Sequence, residues 1–248
     1  MKYLMFILGL GFCSAPAMAQ QNGVILFEKT IHIELKDSTL PQGLSALMPK
    51  AIPAHFRLYY SPDGTLYEPD DSLNNLPANS SDDFGQNVKV SIHINQSDER
   101  YYLDIQQHRL IHQTELLERL FLIPDERTDY QWKLTGRQKM ILGFPCNEAV
   151  LTNDTLPFKA WFTSKIPVAS GPEGFCGLPG MILELSLGKD LTIQAKEIRS
   201  AIPEDMAKIT PPVQGKKISL KAFEALKARK MKEREMNRGN RRIIIQQY

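Results

Sequence analysis

The residues best suited to chemistry in this sequence are its histidines and cysteines, and their spacing predicts no catalytic or metal-binding group. His108 and His112 are four residues apart, but the surrounding sequence is strand-like. Two such side chains share one face of a strand about 13 Å apart, which is too far for both to bind one metal ion. The remaining histidines are isolated in the sequence: His32, His55 and His93.

The search for catalytic motifs indicates a non-enzymatic protein with no metal ion and no cofactor. The sequence contains no Gly-x-Ser-x-Gly, His-Glu-x-x-His, Walker or Gly-x-Gly-x-x-Gly motif. An active site needs a nucleophile with its base, a carboxylate pair or metal ligands. Here it would have to form from distant residues such as His93, Asp104 or Glu184, and a hydrolase is the enzyme class that stays as an alternative.

The N-terminus has the three parts of a secretory signal peptide. Lys2 makes the start basic, Leu4–Phe12 is apolar, and Ala17 and Ala19 form a small-residue cleavage site. The apolar run is about half the roughly 20 residues that span a membrane. The sequence therefore predicts removal of residues 1–19 and a periplasmic or secreted location.

Two cysteines remain in the mature chain, Cys146 and Cys176, in a compartment that oxidises thiols. They predict a disulfide, which would stabilise the fold by roughly 3.5 kcal/mol in the chain-entropy description. A reactive thiol or a zinc site is the competing interpretation. No Cys-x-x-Cys pair and no Cys–His spacing supports it.

Charge is distributed unevenly along the chain. Residues 216–248 contain eleven Lys or Arg and three Glu, a net charge of +8. The whole chain carries +2 and Lys2 falls in the signal peptide, so residues 20–215 carry −7. This asymmetry predicts an acidic β domain at 20–215 followed by a basic helix and tail at 216–248.

A helix is expected in the basic tail, with Ser219 as its cap, continuing to about Asn237 and stopped by Gly239. Leu220, Phe223 and Leu226 form a short apolar stripe, which predicts docking of the first two turns. The basic residues beyond the stripe would project as a partner-binding surface: Lys227, Arg229, Lys230, Lys232, Arg234, Arg238, Arg241 and Arg242. The candidate partners are an anionic membrane surface, a cell-wall polymer or an acidic envelope protein, and not nucleic acid. A merely solvated helix is the other interpretation.

Short strands separated by tight turns dominate residues 20–215. Alternation of apolar and polar residues begins at Gly23–Leu35, and Ser61–Gly64 predicts a hairpin turn. Since no long helix separates the later strands, the pattern favours a mainly β (α+β) domain. We expect a curved antiparallel meander or half-barrel, with a short helix near Gly43–Ile52.

Two local expectations concern the middle of this meander. Leu116–Leu122 reads as one strand, and Tyr130–Leu134 and Lys139–Leu142 read as two strands separated by a turn at Thr135–Arg137.

Residues 164–180, the glycine-rich segment, contain four glycines and three prolines. Proline beside glycine favours tight turns. Two interpretations stay open: a connection that closes the fold, or a binding rim where backbone approaches a ligand closely. The rim residues would be Trp161, Gly171, Pro172, Gly177, Leu178, Pro179 and Gly180.

The end of this segment reads Gly177-Leu178-Pro179-Gly180-Met181-Ile182. It resembles the signature of the GLPGLI family of exported bacterial proteins. Further residues match in order and spacing: Trp132 to Leu134, Met140 to Phe144, Cys146, Ala149, Ala160 to Thr163, Ile166-Pro167 and Ser170 to Pro172. Met181 replaces a Leu, which conserves volume, and Cys176 is a second departure. The resemblance implies a secreted or periplasmic β-rich protein and supplies no catalytic residue.

The sequence thus predicts a periplasmic binding or accessory protein whose half-barrel holds a hydrophobic or protein ligand. A curved sheet with one apolar face either covers that face with its own elements or leaves a concave pocket. The alternative is a protein-interaction component of an outer-membrane assembly or transport system, which would bind through the basic tail and a sheet edge.

Overall fold

The computed structural model describes residues 22–32, 51–74, 98–126, 130–152 and 158–239. The expected signal peptide, His93 and the basic residues Arg241 and Arg242 lie outside these residues. Most of the helix expected at Gly43–Ile52 also lies outside them, and its last two residues belong to a strand instead.

Strands make up most of the described chain, which confirms the mainly β prediction. They are β1 (Gly23–His32), β2 (Ala51–Tyr60), β3 (Gly64–Pro69), β4 (Arg100–Asp104), β5 (Arg109–Glu115), β6 (Leu120–Glu126), β7 (Trp132–Ile141), β8 (Phe144–Leu151), β9 (Phe158–Thr163), β10 (Met181–Leu187), β11 (Leu191–Ser200) and β12 (Lys216–Lys217). The helices of the described chain are α1 (Asp71–Asn74), α2 (Pro203–Met206) and α3 (Leu220–Gly239).

All twelve strands belong to one sheet, in the order β12-β6-β5-β4-β3-β2-β1-β11-β10-β9-β8-β7. Each pair of neighbours is antiparallel except β12 and β6, which run parallel. The sheet ends at β12 on one side and at β7 on the other, so it is an open meander rather than a closed barrel.

The sheet is strongly curved, as expected for a half-barrel. In a flat sheet, the nine intervals between β5 and β7 would separate these strands by about 43 Å. Yet two consecutive residues of the glycine-rich segment lie beside both of these strands. A Cβ added at Gly174 would lie 2.9 Å from Cδ1 of Leu110 in β5, and the ring of Phe175 stacks on Tyr130, beside β7, at 4.8 Å. Curvature therefore brings the two sides of the sheet around the glycine-rich segment.

The two faces of the sheet are covered by different parts of the chain. The inner face carries Ile25 and Phe27 and packs against the glycine-rich segment. The outer face carries a smaller cluster of Val24, Tyr59 and Leu66, which packs on residues after β11. Alternation along β1 sends neighbouring residues to opposite faces, so one strand contributes to both clusters.

The structure corrects two strand boundaries expected from the sequence. Leu117 and Glu118 adopt positive φ angles of 54° and 60°, so they form a turn and β6 begins only at Leu120. The expected turn at Thr135–Arg137 is instead a bulge inside the continuous strand β7, with Gly136 at φ 80°. A bulge accommodates an extra residue without ending the strand.

Helix α3 docks on the inner face of β6. Of the three stripe residues predicted to dock, two do so. Phe223 is buried and packs against Phe121 with ring centroids 5.5 Å apart, and Leu226 joins the same cluster. Leu220 is exposed instead. Ser219 caps the helix as predicted, because its hydroxyl accepts a hydrogen bond from the Ala222 amide at 3.3 Å. The first turns of the basic tail are therefore packed on the sheet.

Candidate functional site

The glycine-rich segment fills the middle of the inner face with its own side chains. Its buried apolar residues are Ile166, Val168, Phe175 and Leu178. The segment is also bonded to the strand that follows it. The Met181 amide donates to the Ile166 carbonyl at 3.0 Å, and the Ile182 amide donates to the Ser170 carbonyl at 2.9 Å. The hydroxyls of Ser170 and Thr65 are hydrogen-bonded at 2.9 Å, which ties the segment to β3.

Two glycines allow this close packing. A Cβ at Gly171 would lie 2.7 Å from Cβ of Ile182, which leaves no room for a side chain. At Gly180, with φ 143°, a Cβ would overlap the backbone oxygen of Thr163 and lie 2.7 Å from its carbonyl carbon. Both positions need glycine because the segment lies directly on the strands beneath it.

The residues expected to form a binding rim divide between the core and the surface. Gly171, Pro172, Leu178 and Gly180 are buried, whereas Gly177 and Pro179 are exposed. Trp161 is half-buried, and the ammonium group of Lys139 lies 4.4 Å from its ring centroid. This distribution favours the interpretation of the segment as a connection that closes the fold.

The two cysteines are buried thiols, and within the described part of the chain no disulfide joins them. Cys146 lies in the core cluster of the inner face, where its Sγ donates to the Phe144 carbonyl at 3.4 Å. Burial raises the pKa of the Cys146 thiol to about 11. The Cys176 carbonyl accepts a hydrogen bond of 2.8 Å from the Trp132 indole. The predicted disulfide is therefore not formed in the structure.

An ionic cluster lies on the inner face beside the glycine-rich segment. It consists of Lys29 of β1, Glu173 of the segment and Glu99, just before β4. The Lys29 ammonium group donates to the Glu173 carboxylate and lies 3.9 Å from the Glu99 carboxylate. The three side chains are 15–25% exposed. Glu173 has a positive φ of 54°, which a non-glycine residue rarely adopts. The cluster thus bonds the glycine-rich segment to the first strand.

An aromatic row lies next to the ionic cluster. Tyr67, Tyr101 and His112 occupy paired positions on the neighbouring strands β3, β4 and β5. The rings of Tyr101 and His112 stack with centroids 4.1 Å apart and an interplanar angle of 9°. Burial, with added cationic repulsion from Lys227 and Lys29, lowers the pKa of His112 to about 4. The imidazole is therefore neutral at pH 7.

Sequence reasoning missed both groups, because their members come from distant parts of the chain. Lys29 and Glu173 are 144 residues apart. The only indication in the sequence was the alternation of apolar and polar residues in the two adjacent predicted strands that contain Tyr101 and His112. Register decides whether those two rings face each other, and the strand pattern alone does not specify register.

Strand β7 is the open edge of the sheet opposite β12. Its side chains Leu134 and Met140 are 58% and 63% exposed, which is unusual for large apolar residues on a long edge strand. Two of its basic residues are held by neighbouring carboxylates. Arg137 binds the buried Glu148 at 2.6 Å, and Lys139 donates to both oxygens of Glu184 at 2.8 Å.

The predicted partner-binding tail is partly described. Lys227, Arg229 and Lys232 are exposed on α3. Lys230 is half-buried and donates to the Glu233 carboxylate at 2.7 Å. Arg234 and Arg238 belong to the helix, but their side chains lie outside the described structure.

Of the residues suggested for an enzyme alternative, His93 lies outside the described residues, and Asp104 and Glu184 have different partners. Glu184 is bound by Lys139, whereas the Asp104 carboxylate accepts a hydrogen bond from the Gln107 amide at 2.8 Å in a local turn. Within the described ranges, no group of three or more His, Cys, Asp and Glu residues is arranged to hold a metal ion. No helix of the described residues is long and apolar enough to cross a membrane.

Comparison with protein families identifies one local match. Residues 151–184 match a family described as a protein of unknown function, Porph_ging. The matched region includes β9, the whole glycine-rich segment and the start of β10. No curated protein matches the chain.

Comparison with solved structures finds the same fold in part of a larger protein. PNGF-II in one crystal form superposes with a TM-score of 0.56 at 13% sequence identity, covering 83% of this chain and 33% of that chain. A second crystal form of PNGF-II gives a TM-score of 0.53 at 13% identity, covering 83% and 32%. The chain thus spans about a third of the length of PNGF-II. At this identity the similarity shows the fold alone, and the family match is confined to the region around the glycine-rich segment.

Proposed function

We propose that this chain is a non-enzymatic binding or accessory protein of the cell envelope, of the GLPGLI type, and that it binds another protein along strand β7. The location follows the signal peptide expected at residues 1–19. The observation that carries the proposal is the open β7 edge, where Leu134 and Met140 are more than half exposed.

A protein ligand fits the molecule better than a hydrophobic small molecule. A carrier for apolar cargo needs an apolar concavity that its own residues leave open. Here the middle of the inner face is occupied by Ile166, Val168, Phe175 and Leu178 of the same chain. Helix α3 covers β6 on the same face through Phe223.

The partner that fits β7 is an extended, acidic segment with alternating apolar residues. An edge strand can accept a further strand by main-chain hydrogen bonding, with side-chain contacts giving specificity. Trp132–Ile141 contains Lys133, Arg137 and Lys139 and no acidic residue. Basic residues and a bulge on an edge oppose pairing with arbitrary strands. Because Arg137 and Lys139 are already held by Glu148 and Glu184, the preference for an acidic partner rests on the exposed Lys133.

The basic part of α3 supports the same function. Beyond Leu226, the described residues that reach solvent include Lys227, Arg229 and Lys232. A second basic contact would fit a role as an interaction component of an outer-membrane assembly or transport system. An anionic membrane surface is the other partner that α3 could contact electrostatically.

Site-specific photo-crosslinking in the native host tests the β7 proposal. A photoreactive residue replaces Met140, and a matched control places it at Val213, which is 82% exposed and outside the sheet. We expect a protein crosslink from position 140 and none from position 213. The crosslinked peptide should be acidic, with alternating apolar residues, and Leu134→Glu should abolish the product through charge and lost apolar contact.

Equal crosslinking from both positions, or none from position 140, would contradict binding at β7. Deletion of residues 227–248 separates the two surfaces. If the crosslink at position 140 persists in this variant, β7 binds without the tail. If the product disappears while the protein stays folded, the tail is the primary contact and the β7 proposal is wrong.

A further inference from the structure

The hairpin that joins β7 to β8 carries six consecutive residues without a polar side chain. This apolar tip runs from Met140 to Pro145. Met140 is 63% exposed, Leu142 is 46% exposed, and Pro145 is also exposed. Single exposed apolar residues are ordinary on a protein surface, but neighbouring ones form a patch that indicates a contact surface. The tip therefore has the composition of an interaction site.

Leu142 adopts a conformation that suits glycine or asparagine better than leucine. Its φ is 49° and that of Gly143 is 82°, as in the type I′ turn of a two-residue hairpin loop. This left-handed conformation is strained for leucine. Nearly half of the Leu142 side chain faces solvent, so packing within the described chain offsets little of the strain. Strained residues of this kind are frequent at binding sites, which makes Leu142 a candidate contact residue.

Leu117 shows that strain alone does not identify a contact. It lies in the turn between β5 and β6, with φ 54° and 42% exposure. Its exposed neighbours Glu118 and Arg119 are charged, whereas those of Leu142 are apolar. Strand β6 is paired with β12, whereas β7 is the last strand of the described sheet. Leu142 thus combines strain with an apolar surrounding and an open edge, and Leu117 is its matched control.

Main-chain groups that point away from β8 lie beside the apolar tip. In a two-residue hairpin loop, the flanking residues form a hydrogen-bonded pair, and the two kinds of pair alternate from there. Met140 and Pro145 are the next pair, so they do not bond to each other. Pro145 has no amide hydrogen and suits this position. By the same alternation, the amide and carbonyl groups of Gln138 and Met140 face the open edge of the described sheet.

A protein fits this combination better than a membrane surface. Inserting the tip into a bilayer would bring the main-chain groups of Gln138 and Met140 towards hydrocarbon, where they have no hydrogen-bond partner. The tip contains no Lys or Arg for anionic headgroups, and the adjacent Lys139 is already bound by Glu184. An extended protein segment supplies both main-chain partners and apolar side chains.

We propose that the protein partner of β7 pairs its extended segment with Gln138 and Met140 and encloses Leu142 in an apolar pocket. This inference rests on the proposed function and locates the main contact at the apolar tip. The bulge at Gly136 separates this pairing site from Lys133, whose charge attracts the same partner.

Photo-crosslinking from position 142, with position 117 as the control, tests the proposal. A photoreactive residue replaces Leu142 or Leu117 in the full protein in its native host, and mass spectrometry identifies the crosslinked peptide. We expect position 142 to crosslink to apolar residues of the same protein that position 140 captures. Position 117 should not crosslink to that protein.

The outcomes separate this inference from the β7 proposal. If position 140 captures a partner and position 142 does not, or if positions 142 and 117 capture it equally, the inference is wrong and binding at β7 stands. If position 140 captures no partner, the β7 proposal is wrong and this inference falls with it.

Leu142→Asn separates binding from folding, because asparagine tolerates the left-handed conformation. Its Tm should rise by about 2–4 °C through relief of strain. The crosslink from position 140 should decrease about 5- to 10-fold, since the partner loses an apolar contact. Leu117→Asn should relieve similar strain and leave that crosslink unchanged. A lower Tm for Leu142→Asn, an unchanged crosslink, or equal decreases in both variants would overturn the proposal.

Vesicle flotation tests the membrane alternative. The purified mature chain and the two asparagine variants are mixed with vesicles of phosphatidylethanolamine and phosphatidylglycerol. We expect Leu142→Asn and Leu117→Asn to float to the same extent as the unsubstituted protein. A decrease confined to Leu142→Asn would assign the apolar tip to a membrane surface and overturn the proposal.

Discussion

The glycine-rich segment and strand β7 both contain glycines with positive φ, but the surroundings of those glycines are opposite. A Cβ at Gly180 would overlap the backbone of Thr163, whereas a Cβ at Gly136 in β7 would meet nothing within 4 Å. The first glycine is needed for packing, and the second only for a local bend. The difference separates a segment that completes the core from an edge that stays open.

The apolar residues of the two regions differ in the same way. Ile166 of the glycine-rich segment is fully buried, while Leu134 of β7 is 58% exposed. Sequence hydrophobicity does not distinguish these residues. Substitutions at matched positions can therefore measure how far the two regions differ in their contribution to stability.

The largest expected effect comes from glycine substitution. Gly180→Ala should lower the free energy of unfolding by more than about 4 kcal/mol, because strain at φ 143° adds to a backbone overlap. Gly136→Ala should cost about 1 kcal/mol, from the positive φ alone. Urea unfolding followed by circular dichroism measures both. Similar losses for the two variants would contradict the difference in packing.

Truncation of the apolar side chains should give the next largest effect. Ile166→Ala leaves a cavity in the inner-face core and should cost about 3 kcal/mol. Leu134→Ala changes an exposed side chain and should stay within about 0.5 kcal/mol. The same denaturant titration applies. A loss above 1 kcal/mol (about a fivefold change in the unfolding constant) at Leu134 would indicate that β7 packs against another part of the chain.

Stability should fall in mild acid because of His112. Its pKa is about 4 in the folded protein against an ordinary value of 6.5, so the unfolded chain takes up the proton first. The free energy of unfolding should therefore decrease as pH falls from about 6.5 to about 4, by about 3 kcal/mol at most, and not further below that range. Comparing the pH profiles of two variants separates the contribution of His112 from that of carboxylates that titrate in the same pH range.

Two variants test the assignment to His112. His112→Phe should flatten the stability profile between pH 6.5 and 4. His108→Asn is the control, because His108 is an exposed turn residue with φ 53°, which asparagine tolerates. If His108→Asn flattens the pH profile of stability and His112→Phe does not, the aromatic row is not the source of the acid sensitivity.

The smallest expected effect concerns the cysteines. Their thiols should be alkylated only when the protein unfolds. Cys146 and Cys176 are buried, and the pKa of Cys146 is raised to about 11. Since the thiolate is the reactive form, both should resist alkylation in the native protein and react completely in denaturant without reductant. If neither thiol reacts after unfolding, the disulfide expected from the sequence is present in the purified protein.

Sequence reasoning predicted elements whose cause is local. The Ser61–Gly64 turn is confirmed, with the Ser61 amide donating to the Gly64 carbonyl at 3.0 Å. Ser219 caps α3 as predicted, and α3 extends to Gly239, the last described residue. The bulge at Gly136 was mistaken for a turn, because glycine with positive φ occurs in both.

The sequence by itself determined that this protein is a mainly β antiparallel meander with a basic C-terminal helix, because strand alternation, turn residues and helix caps act over a few neighbouring positions. Only the tertiary structure decided that the glycine-rich segment fills the inner face, that β7 is the open edge, and that Lys29 meets Glu173. These features depend on sheet curvature and strand register, which bring together residues more than a hundred positions apart. No local pattern encodes such contacts.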